Sequence, residues 1–158
     1  MDANFDSSLN GRQMKIEEEL KHEFGSRQQR AATNVIFTSN WILNKISVDL
    51  KSTGLSLQQF NVLSVLNGQQ NHTATVNLIK ERLIDRMPNV SRLVNKLMEK
   101  GLIEKERNSS DQRMVYVKLT AKGLALKIKA RQLIDSGEIG LTDDESDRLN
   151  ELLEKIRK

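Results

Sequence analysis

Apolar residues recur at threes and fours along most of this 158-residue chain, a pattern that predicts a mainly helical protein. Ile16 and Leu20 share one face of a short run from Met14 to His22, with acidic residues near its favourable N-terminal end. Its apolar positions are too few to hold a lone helix, so it reads as an arm. Ser26 to Leu50 gives a long helix whose stripe is Val35, Ile36, Ser39, Ile42, Leu43, Ile46 and Leu50, with Trp41 beside it. Gly54 ends this region, and Ser56 caps a helix from Leu57 to about Leu66 with Phe60, Leu63, Val65 and Leu66 inward. Asn67-Gly68 is expected to stop that helix, both residues tolerating a left-handed turn. After a loop, GQQNHTA, Thr75 caps a compact helix to Ile84 that buries Val76, Ile79 and Leu83.

The next stretch, Arg86 to Thr120, has the most informative polarity. Val90, Leu93, Val94, Leu97 and Met98 follow helical spacing, which leaves Arg92, Asn95, Lys96 and Glu99 on the opposite side with Asn89 and Ser91 flanking. Pro88 suits the first turn of this helix, and Lys100-Gly101 closes it. Leu102 to Arg107 and Arg113 to Leu119 alternate as antiparallel strands around the turn formers NSSDQ, with Val115, Val117 and Leu119 on one face. Two short helices joined by a tight turn, followed by a hairpin, form a winged helix-turn-helix. Thr120 caps a helix from Ala121 to about Ser136 carrying Leu124, Leu126, Ile128, Leu133 and Ile134 around more than one face. Thr142 and Glu145 make a capping box that opens the last helix, striped by Leu149, Leu152, Leu153 and Ile156. A small winged domain cannot bury both terminal stripes, so a second copy is the expected partner. The fold class is therefore mainly α with a small antiparallel β-hairpin wing (α+β), flanked by N- and C-terminal dimerisation helices. Residues 1–54 form the arm and long helix, 55–120 the winged unit and 121–158 the terminal dimerisation helices.

Charge then suggests a ligand class. The formal net charge of +4 permits a polyanionic partner without demanding one. Distribution is more telling, because Arg and Asn able to donate to base edges, and Lys able to neutralise phosphate, lie on the face that the apolar pattern exposes. Double-stranded DNA is the expected partner. The alternative is a winged helix used as a protein-interaction module against an acidic surface. With no Cys and two His fifty positions apart, there is no thiolate metal site, no cysteine nucleophile and no cysteine redox sensor. No catalytic constellation, cofactor or metal site is expected. The N-terminal residues lack the pattern of a secretory signal and no run is long enough for a membrane span, so the expectation is a cytoplasmic protein with no membrane partner.

Three motifs give the pattern a family likeness. Lys100-Gly101-Leu102-Ile103, Asp111-Gln112-Arg113 and Leu119-Thr120-Ala121-Lys122-Gly123, preceded by Gly54-Leu55-Ser56-Leu57-Gln58-Gln59-Phe60, closely resemble the MarR family of bacterial transcription regulators over roughly residues 30 to 157. The resemblance implies a two-fold homodimer, most simply a repressor, whose paired winged domains reach successive major grooves of a pseudo-palindromic operator. It places Asn89, Ser91, Arg92, Asn95 and Lys96 toward the groove. It makes Arg113 the wing contact and Asp111 the residue that orients it. Where many members carry Ser or Thr at the start of the recognition helix, this chain has Met87 and Pro88, which leaves Asp85 to cap. Members are also released from DNA by small anionic aromatic effectors. That role would fall to Trp41, Asn44 and Lys45, although packing at the helix edge or solvation accounts for them at least as well.

Overall fold

The structure is a computed structural model, described over residues 14–85, 89–107, 115–135 and 139–157, with the side chains of Arg107 and Val115 left aside. The elements run α1 (Ile16–Leu20), α2 (Arg27–Leu50), α3 (Leu57–Asn67), β1 (Thr73–Thr75), α4 (Val76–Arg82), α5 (Val90–Glu99), β2 (Ile103–Arg107), β3 (Val115–Leu119), α6 (Ala121–Asp135) and α7 (Asp143–Ile156). Single 3-10 turns at Lys51–Thr53 and Gln70–His72 join α2 to α3 and lead into β1. The chain divides into two compact units, one ending at Lys45 within α2 and one beginning at Ile46.

In the first unit, Ser26 opens α2 by accepting the Gln29 amide at 3.1 Å. The arm is held by an ion pair between Glu17 and Arg30. Ile16 is the residue of α1 that is buried, while Leu20 stays exposed. His22 packs edge-to-face on Phe24, with ring centres 5.2 Å apart.

The second unit holds the core. Leu50, Phe60, Val62, Leu63, Leu66, Ile79, Leu83, Val94, Leu97, Leu102, Val117 and Leu119 are all buried within it. Helices α3 to α6 and the sheet converge there. The sheet has three strands in the order β1-β3-β2, all antiparallel. The hairpin is present with Ile103 opposite Leu119 and Arg107 opposite Val115, and β1 adds a third strand in which Ala74 pairs with Val117. The sequence pattern predicts a loop where β1 forms, because three residues are too few to show alternation.

Two further local expectations are corrected. Gly68 ends α3 in right-handed geometry (φ −81°), bonded back to Ser64 O at 3.2 Å, and the left-handed turn comes at Asn71 and His72. Asn tolerates that conformation, and the His72 ring is steadied by the Asn67 carbonyl at 3.2 Å. Helix α4 stops at Arg82 rather than Ile84, since Leu83 turns extended (ψ 139°) to stay in the core and leaves Ile84 exposed.

Candidate nucleic-acid interface

Helix α5 has one buried and one exposed side. Val90, Val94 and Leu97 are buried and Leu93 and Met98 partly so. Ser91, Arg92, Asn95, Lys96 and Glu99 are all exposed on the other side. At 100° per residue, Arg92, Lys96 and Glu99 stand nearly opposite the buried stripe, with Ser91 at its flank. Four of the expected groove residues, Ser91, Arg92, Asn95 and Lys96, thus share the exposed side of this helix, and the fifth, Asn89, is exposed at its start.

The start of the helix differs from expectation. Its cap is Asn89, whose Oδ1 accepts the Arg92 amide at 3.1 Å, rather than Asp85. Asn is among the strongest cap formers, because its carbonyl satisfies an orphan amide of the first turn. One side of the Asn89 amide group is therefore committed to the helix, leaving its NH2 as the group available to a ligand. Pro88 and the wing residues Asp111 and Arg113 lie outside the described residues.

The end of the helix is fixed by a web that motif spacing alone did not reveal. Gly101 adopts φ 67°, its amide bonds Met98 O at 2.8 Å, and the Leu102 amide bonds Leu97 O at 3.0 Å. This pair of bonds is a Schellman stop, closed by the buried Leu102 side chain. Thr120 Oγ1 accepts the Gly123 amide at 3.0 Å, capping α6, and donates to Gly101 O at 2.9 Å. Lys122 Nζ donates to Lys100 O at 2.7 Å. Lys100 Nζ in turn donates to Gly54 O at 2.7 Å and to Gln59 Oε1 at 3.2 Å. Three motifs far apart in sequence meet at the end of α5.

Trp41 is exposed and lines a concavity within the first unit together with Met14, Lys15, Ile16, Arg30, Asn34 and Phe37; Asn44 is not part of that lining. Among the described residues, no three His, Asp or Glu side chains are grouped to hold a metal ion. No helix among them is long and apolar enough to cross a membrane.

Helix-turn-helix, three-stranded wing sheet and an exposed polar face on α5 together define a winged helix-turn-helix regulator of the MarR type. The chain belongs to the SarA/Rot family of transcriptional regulators, whose family model matches residues 44–130. It is 27% identical over 111 residues to the HTH-type transcriptional repressor IacR of Pseudomonas putida, a match covering 68% of this chain and 65% of that protein. The chain thus spans just under two thirds of that relative. Among solved structures it resembles apo MarR of Escherichia coli, with 26% identity, a TM-score of 0.64 and coverage of 79% of this chain and 95% of the other. A MarR variant complexed with operator DNA superposes with a TM-score of 0.71 at 24% identity, covering 85% and 99% of the two chains.

Proposed function

We propose that this protein is a homodimeric repressor that reads a pseudo-palindromic DNA operator through α5 and the wing. The observation that carries the reading is the face of α5, where Arg92, Asn95 and Lys96 are exposed on the side away from the buried Val90, Val94 and Leu97. Arg donates in pairs to guanine, Asn to adenine, and Lys neutralises phosphate, so one helix face carries both base readout and backbone anchoring. Ser91 and the free NH2 of Asn89 flank it. Arg113 extends the contact from the wing, with Asp111 orienting its guanidinium.

The dimer is supported by apolar surface that one chain leaves open. None of α7 is buried, and its Leu149, Leu152 and Ile156 are exposed. Ile36, Leu43 and Val48 of α2 and Ile128 of α6 are likewise exposed. Residues 1–54 and 121–158 are accordingly assigned to dimerisation and 55–120 to DNA. Release by a small anionic aromatic molecule is assigned to the region of Trp41 and Asn44, and the protein to the cytoplasm, where its DNA lies.

The test is retention of a selected duplex against excess random-sequence DNA. A regulator must prefer particular sites over bulk duplex. Equal retention of selected and random duplex would favour a protein-binding winged helix instead.

A further inference from the structure

Lys100 ends α5 with its ammonium set against the start of α3, held by Gly54 O at 2.7 Å and Gln59 Oε1 at 3.2 Å. Both acceptors belong to one built turn. Gly54 is left-handed at φ 66°, Ser56 caps α3, and Gln59 completes the capping box with its Oε1 taking the Ser56 amide at 3.2 Å. Gln59 is 6% exposed, so its oxygen is a fixed point rather than a surface tip. A cation here opposes the positive end of the α3 dipole. Stability of α3 alone would favour an acid or a neutral residue at this place. The two acceptors, and not the helix field, are what hold the ammonium.

The same residue is tied on its other side. Its carbonyl accepts Lys122 Nζ at 2.7 Å from the first turn of α6. Apart from these bonds and the Thr120 hydroxyl on Gly101 O at 2.9 Å, helix α5 rests on its apolar stripe, and apolar contact is non-directional, resisting separation far more than rotation about the axis. Hydrogen bonds to points on α3 and α6 do resist rotation, because they weaken steeply as their angles open. The rotation of α5 determines where Arg92, Asn95 and Lys96 point.

We propose that Lys100 is a positioning residue for DNA reading: it fixes the rotation of α5 through Gly54 and Gln59 and does not itself touch DNA. The proposal rests on the DNA-binding reading above. Its test compares the parent with Lys100→Met, which keeps the stem and loses the ammonium, and with Lys100→Arg, which keeps donors. Each full-length chain is titrated, over a range of salt, with the duplex that the parent selects from a random pool. Lys100→Met should weaken binding by about twofold to thirtyfold, the range for residues that act without touching the ligand. The slope of log affinity against log salt should remain that of the parent, and Lys100→Arg should recover most of the loss. A fall in slope of about one unit would make Lys100 a phosphate contact and overturn the proposal. Unchanged affinity, or a loss matched by a lowered melting midpoint and not recovered by Arg, would overturn it too.

Amide exchange along α5 separates this failure from failure of the DNA reading. In free protein, Lys100→Met should speed exchange of the α5 amides whether or not the parent prefers any duplex. Unaltered exchange would remove the positioning role even if DNA binding stood.

Discussion

Gly123 in α6 lies so close to Leu102 that a β-carbon on it would stand 2.0 Å from the Leu102 carbonyl oxygen. The obstacle is backbone at the root of the wing, one residue past the left-handed Gly101, and it is held in place by the Thr120 amide at 3.1 Å. Neither helix nor strand can yield without breaking that link. Gly123→Ala should therefore destabilise the protein by about 1–3 kcal/mol or more, the scale of forced overpacking. Thermal unfolding would register this as a lowered midpoint. A midpoint equal to that of the parent would mean that α6 does not pack as described.

Asn89 allows its structural duty to be tested apart from the recognition duty proposed for it. Its Oδ1 caps α5, so Asn89→Ala should cost about 1 kcal/mol of stability. Asn89→Asp keeps the capping oxygen and adds favourable charge at the helix start, so stability should hold or rise. The same carboxylate would repel phosphate and lose the NH2 donors, and DNA binding should fall. Denaturant titration and duplex binding, measured on both variants, should move in opposite senses for Asp. If Asp binds DNA as the parent does, Asn89 is a cap and nothing more.

Sequence legibility followed range. The Ser56 cap and the Thr142–Glu145 box join residues three apart, and both are formed as the local pattern predicts; that Gln59 reaches back to complete a box with Ser56 is seen only in the structure. The stripe of α5 was equally plain, since one packed side of a helix leaves a periodic trace. β1 was missed because three residues, Thr73 to Thr75, become a strand only by pairing with β3 some forty positions later. The left-handed turn was misplaced because Asn67-Gly68 and Asn71 carry the same local signal, and hydrogen bonding of the α3 end decided between them. Lys100 was read as part of a helix stop. Its partners lie 41 and 46 residues away, and nothing in the spacing of a motif announces such a contact.

The capping box of α7 makes its opening turn pH-sensitive. The Thr142 backbone amide, at 2.9 Å from Glu145 Oε2, and then the Thr142 hydroxyl, hold the Glu145 carboxyl below its ordinary value of 4.5. A depressed folded pKa gives stability that is present above the unfolded value and lost as pH falls through the folded one. The first turn of α7 should thus loosen below about pH 4.5. Glu145 is fully exposed, so the effect should be local and weakened by salt. Carboxyl titration by NMR should show the depressed value in the parent, and Thr142→Ala should return it toward the ordinary one. A Glu145 that titrates normally in the parent would mean that the box is not formed in solution.

Arg92 and Arg113 should fail differently. If Arg92 makes a paired base contact, Arg92→Ala should weaken the selected duplex by about 1–3 kcal/mol while bulk binding changes little. Arg113→Ala should weaken all duplexes and reduce the salt slope by roughly 0.9, the value for one phosphate contact on duplex DNA. Equilibrium binding to selected and random duplex over a salt series distinguishes the two. Loss of site preference in both variants would place Arg113 among base-reading residues.

Exposed leucine on α7 gives a test of assembly independent of DNA. On a lone chain, Leu152→Glu alters an already exposed side chain, and such surface changes usually stay within about 0.5 kcal/mol. If Leu149, Leu152 and Ile156 instead meet a second copy, the same substitution buries charge against an apolar surface, at a cost of several kcal/mol. Sedimentation should then show the parent as a dimer and Leu152→Glu shifted toward monomer. Duplex affinity should fall with it, although Arg92, Asn95 and Lys96 are untouched, because a single reading helix loses the benefit of a linked second one. A Leu152→Glu protein that sediments and binds as the parent does would move the dimer interface off α7, leaving the exposed faces of α2 and α6 as the surfaces to test next.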